Sequence, residues 1–216
     1  MLAYVAALVW NIPASVAITR PAGIASLGGT LWRGRAILVD GETLEWRWAP
    51  LRSLVRLVFA VDWTVAGPGI DLAGQASFGP DSTMIDEASG SATGALLAVA
   101  MPDLPFVCGM PLQATIRHIQ FGGSAPMLDG EVRSDTGLCA PKSGGPATLL
   151  PALWLRLDRL GNGSELLLAP AAQRRHALVQ GMLDRDSRLR LHVTAEGART
   201  LPFVAPPGGL TLETTL

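Results

Sequence analysis

The chain has 216 residues, 49% hydrophobic, 16% charged and only 6% aromatic, with 24 Gly and 16 Pro. Its 17 basic and 18 acidic side chains leave a formal net charge of −1, so there is no electrostatic case for a nucleic-acid partner. The length admits one domain or two small ones, the apolar content is too high for disorder, and a composition poor in charge but rich in turn residues suits many short strands.

In chain order, Met1 to Ile18 carries no charged side chain and is interrupted only by Asn11, Pro13 and Ser15. Such a run falls at the lower end of the roughly 17 to 25 residues that cross a bilayer. Residues 1–20 are therefore read as an apolar, anchor-like segment, with a buried first element and a signal-like segment as the competing readings. No Lys or Arg precedes the run and Arg20 follows it, so the positive-inside cue does not favour a cytoplasmic N-terminus.

Thr30 to Val39 and Glu42 to Trp48 read as two strands joined through Asp40-Gly41, a dipeptide that accepts the positive φ of a type I′ turn. In the second strand Leu44, Trp46 and Trp48 share one face while Glu45 and Arg47 take the other. Pro50 ends it, because proline cannot donate to a ladder. Leu51, Leu54, Val55 and Val58 then follow helical spacing, which predicts a short helix covering a sheet end.

Period-two alternation returns at Phe59 to Val65 and at Ile70 to Phe78. Ala88 to Met101 gives neither period cleanly. Leu112, Ala114 and Ile116 open another alternation whose phase flips by Ile119 and Phe121, predicting a β-bulge near His118. Further strands are expected at Leu128 to Arg133, Leu153 to Leu157, Glu165 to Ala169, Arg188 to Ala195 and Leu210 to Thr215. Ala177, Leu178, Gly181 and Met182 repeat the helical stripe. The sum is a mainly β chain: a curved antiparallel sheet of about ten strands with a few short helices.

Leu31-Trp32 and Leu153-Trp154, and likewise Ala49-Pro50 and Ala169-Pro170, recur at nearly the same interval. Residues 21–216 are read as one β-rich domain. Two similar lobes joined near 139–151, through the Pro/Gly-rich run Cys139 to Pro151, are the duplication reading, set against coincidence in an Ala/Leu-rich chain.

No dinucleotide fingerprint, P-loop, H-E-x-x-H or G-x-S-x-G elbow occurs, and in Gly90-Ser91-Ala92-Thr93-Gly94 the serine sits one residue too early. His118, His176 and His192 fall in different elements without metal-ligand spacing, so surface or hydrogen-bonded histidines are the default. The acidic pairs Asp86 with Glu87 and Asp184 with Asp186 suit acid-base work only if buried together, and solvated turn residues are commoner. No catalytic, cofactor or metal residues are assigned. Cys108 and Cys139, the only two cysteines, fit a disulfide, two buried thiols or half a metal site. Trp32, Trp46, Trp48 and Trp63 fall in three successive expected strands, so a meander brings several to one face. That face is core, a partner-binding surface or an apolar groove.

The order Gly29-Thr-Leu-Trp-Arg-Gly-Arg-Ala36, hairpin, Leu44-Glu-Trp-Arg-Trp-Ala-Pro-Leu51, short helix, strand resembles the opening of protein N of the bacterial type II secretion system. Agreement is most specific from Thr30 to Leu51 and weaker to the closing Gly-Gly-Leu-Thr-Leu strand. The resemblance implies a bacterial inner-membrane protein, anchored through its N-terminal segment and with its β-rich region in the periplasm. It further implies an accessory, non-enzymatic role and contacts with other inner-membrane subunits of the secretion assembly. A periplasmic location in turn implies a Cys108–Cys139 disulfide.

The alternative from a different class is a periplasmic lipid-handling protein, in which a curved sheet shelters acyl chains in an apolar groove. Whether the concave face is filled by the protein's own helices or left open discriminates the two. A hydrolase reading has no supporting triad.

Overall fold

The computed structural model describes residues 11–17, 23–39, 41–94, 104–123, 126–201 and 208–215. Most of the N-terminal apolar run, the type I′ position Asp40 and residues 95–101 of the ambiguous 88–101 stretch lie outside them. Among the described residues no helix is long and apolar enough to cross a membrane.

The chain is mainly β. In order come helix α1 (Ala14–Ala17), strands β1 (Ile24–Gly29), β2 (Arg33–Leu38) and β3 (Thr43–Trp48), helix α2 (Pro50–Arg56), then β4 (Phe59–Gly67), β5 (Ile70–Phe78), β6 (Ser82–Thr93), β7 (Phe106–Gly109), β8 (Pro111–Gly122) and β9 (Met127–Ser134). β10 (Gly137–Pro141), β11 (Thr148–Leu150), β12 (Leu153–Leu160), β13 (Gly163–Pro170), β14 (Val179–Leu183) and β15 (Arg188–Val193) precede helix α3 (Ala195–Thr200) and the final strand β16 (Leu210–Thr215).

Thirteen strands make one curved antiparallel sheet in nearly sequential order, β1 to β6, then β8, β9 and β12 to β16. The meander follows from short turns: Pro68-Gly69, with Gly69 at φ 79°, reverses the chain between β4 and β5. Two excursions break the order. Both leave and rejoin the sheet at one end of the strands, where Thr93 faces Pro111 and Leu112 faces Ser134. β7 from the first pairs with β10 from the second, and β11 completes a three-stranded second sheet. The Cys108–Cys139 disulfide joins the excursions.

Two cores result. One gathers Met110, Leu112, Cys139, Leu150, Leu178, Val193 and Leu201 between the small sheet, helix α3 and the main sheet. The other gathers Ala14, Ala36, Trp46, Val61 and Ala76 under β1 to β5.

Several expectations change. The strand count is sixteen among the described residues rather than about ten, because short or Gly-rich pieces such as β1 and β11 show too little alternation to read. The stripe at 177–182 is not helical. β14 buries Val179, Gly181 and Leu183 and exposes Gln180 and Met182, a period of two. Leu31-Trp32 lies in the turn between β1 and β2, whereas Leu153-Trp154 opens β12. Cys139 to Pro151 contains the end of β10 and all of β11. The register shift between Ile116 and His118 is the bulge that the phase flip requires.

Candidate functional site

Opposed residues in an antiparallel ladder project to the same side of the sheet. Leu27, Ala36, Leu44, Val65, Leu72, Gly90, Ala114, Val132, Leu155, Leu168, Val179, Val193 and Leu210 face one another in turn across all 13 strands. Every one is apolar, so one side of the sheet is an apolar surface along its whole width. The opposite side carries the row Arg33, Arg47, Asp62, Gln75, Asp86, His118 and Asp129. The register shifts in β5–β6 and β8–β9 change the side-chain phase of the strands together, which keeps both rows in step.

Among the described residues the apolar side is only partly filled. The small sheet and α3 cover it toward the C-terminal strands and leave a cavity of about 280 Å³ lined by Phe106, Met110, Leu112, Leu153, Leu168 and their neighbours. Under β1 to β5 a second cavity of about 410 Å³ is lined by eleven residues, among them Leu27, Ala36, Leu44, Trp46, Phe59, Val61, Trp63 and Phe78, all apolar. Both are close in size to the smaller ligand pockets, which begin near 300 Å³. Between them Leu72 and Ala114 are half-buried, and the half-buried Val132 and Leu155 line the smaller cavity. Among the described residues the helices leave this side open as a trough.

The tryptophans divide. Trp46 and Trp63 stand opposite each other and line the larger cavity. Trp46 is buried and donates Nε1–H to the Leu31 carbonyl (3.1 Å). Trp48 instead packs edge-on against Trp32 with ring centroids 4.7 Å apart, and Trp32 meets Phe59 at 5.9 Å. Of that aromatic string, Phe59 also lines the cavity.

On the polar side Asp86 is buried between Arg56 Nη1 and His118 Nδ1, each 2.6 Å from a carboxylate oxygen. Burial pushes its carboxyl up, but the hydrogen bonds and charges of Arg56 and His118 outweigh this and hold it below the ordinary aspartate value. The triplet pins α2 to β6 and β8. His176 meets Glu196 (3.4 Å) and His192 meets the Thr211 hydroxyl (3.1 Å). Asp184 accepts the backbone N–H groups of Asp186 and Arg188, a turn role. Gly90 to Thr93 lies inside β6, not at the strand-to-helix turn that an elbow needs. Among the described residues no three His, Cys, Asp or Glu side chains converge on a metal position.

The chain matches no protein-family profile, no curated protein and no solved structure.

Proposed function

We propose that this chain is a non-enzymatic accessory subunit of the bacterial type II secretion assembly, binding partner subunits on the periplasmic side of the inner membrane. The observation that carries the reading is the Gly29 to Leu51 stretch, which resembles that system's protein N. It folds as one unit of β2, β3 and the start of α2, and it supplies Ala36, Leu44 and Trp46 to the larger cavity. The test is a clean deletion: export of type II substrates falls, or the inner-membrane assembly loses stability. Normal export of every substrate overturns it.

A second reading, periplasmic lipid handling, rests on the trough. Its larger cavity has no charged or polar side chain in the lining, which favours alkyl chains over ligands that need a hydrogen bond. Phospholipid recovered by organic extraction of the purified protein supports this reading, and a trough free of lipid after purification from membranes counts against it.

A further inference from the structure

Helix α2 turns its polar side to the sheet and its apolar side to water. Arg52 reaches Asp62 and Arg56 reaches Asp86, both at 2.6 Å, while the Ser53 hydroxyl oxygen accepts from Trp48 Nε1–H and Ala60 N–H, both at 2.9 Å. These contacts fix the helix's rotation. Leu51, Leu54, Val55 and Leu57 are left 79%, 70%, 85% and 87% exposed. An amphipathic helix on a sheet normally buries such a stripe. Leu57 also caps the helix at φ 54°, a left-handed position that favours Gly, and still presents its side chain outward.

The same side of the sheet carries uncompensated positive charge next to this ridge. Asp62, held by Arg52, faces Arg47, and Arg47 faces Arg33. Both arginines are exposed, and neither has a carboxylate partner among the described residues. Like charges directly opposite each other destabilise a sheet. Glu45 is engaged by Arg35, and Asp86 by Arg56. Glu87, hydrogen-bonded by Gln75, lies beyond the helix on β6.

We propose that α2 and the Arg33–Arg47 pair are a membrane-surface contact: the leucine–valine ridge enters the headgroup region of an anionic bilayer, and the two guanidinium groups bind lipid phosphates. A convex apolar ridge beside cations suits a deformable, negatively charged surface, where such a face sinks about 5–10 Å. A rigid protein partner would need a matching groove. Guanidinium forks fit phosphate oxygens in pairs. The contact rests neither on the secretion reading nor on an occupied trough.

The test places an environment-sensitive dye on the full-length Leu54→Cys protein and adds vesicles of phosphatidylcholine alone or mixed with phosphatidylglycerol. The dye is expected to move into an apolar environment on the anionic vesicles only, and raised salt should reverse the shift. Arg33→Gln with Arg47→Gln should weaken that response roughly 25-fold, at about 1 kcal/mol per arginine. A dye that stays aqueous while the protein sediments with vesicles overturns the proposal. So does equal response to both vesicle types, or protection that needs only a second copy or an added protein.

Discussion

Gly34 on β2 lies directly beneath the indole of Trp46 on β3: a Cβ added at Gly34 would sit 2.1 Å from Trp46 Cζ2. The ring occupies the space that any larger residue would need, and it is held from the other side by its bond to Leu31. Gly34→Ala should therefore destabilise the fold by about 1–3 kcal/mol through overpacking. Trp46→Ala should cost about 3–5 kcal/mol, as a buried large side chain does. Urea unfolding of both variants checks this. A Trp46→Ala protein as stable as the parent would show that the indole is not core.

The disulfide joins residues that face each other on β7 and β10, with Cα atoms 4.1 Å apart and 31 residues of separation. Closing a loop of that length stabilises by roughly 3–4 kcal/mol in the chain-entropy model. Replacing both cysteines by Ala should lower unfolding stability by about that amount. It should also raise hydrogen exchange first in β7, β10 and β11, because the disulfide is the covalent cross-link between the two excursions that build the small sheet.

How much of this was legible in the sequence follows from which signals are local. The β2–β3 hairpin, the apolar face of β3 and the bulge at His118 were readable because alternation over a few residues reports directly on which side faces the core. The apolar trough was readable only in pieces. Its continuity depends on the register of every strand pair, and register is set between strands. The Leu51, Leu54, Val55, Val58 stripe gave the right helix and the wrong orientation. Spacing defines a face but not its direction, which here is decided by Arg52 and Arg56 reaching Asp62 and Asp86 on other strands. The small sheet escaped notice because its strands are three to five residues long and lie in two separate excursions.

Asp86 makes stability depend on pH in a defined direction. Its folded-state pKa is lowered against the unfolded chain, so its contribution is fully present above the unfolded aspartate pKa of about 3.9 and is lost as pH falls through the folded value. Stability of the parent should decline on acidification below about pH 4, and Asp86→Asn should show a shallower decline over the same window. Unfolding free energies measured across that range decide it; identical slopes would remove Asp86 as a cause.

At Leu57 the strain and the exposure make opposite predictions for stability and binding. The side chain is 87% exposed, so little packing is lost on its removal. The left-handed backbone at φ 54° is one that glycine adopts without strain. Leu57→Gly should raise unfolding stability by about 1 kcal/mol. A leucine kept there against that gradient is what a surface ridge requires, and a destabilised glycine variant would show instead that the side chain is packed.

The cavity under β1 to β5 separates a binding role from a loosely packed core. Val61 is buried and points into about 410 Å³ of apolar space. Val61→Phe should therefore fill part of that space without forcing the sheet apart. Because well-packed cores lose about 1–3 kcal/mol to such enlargement, a change in stability of less than about 1 kcal/mol would mark the space as open. Binding of a fluorescent fatty acid should fall at least about tenfold in the same variant, the equivalent of about 1.4 kcal/mol. The two readouts together carry the inference: unchanged stability with lost probe binding identifies a ligand site. Large destabilisation would identify core, and retained probe binding would move the site along the trough toward Val132 and Leu155.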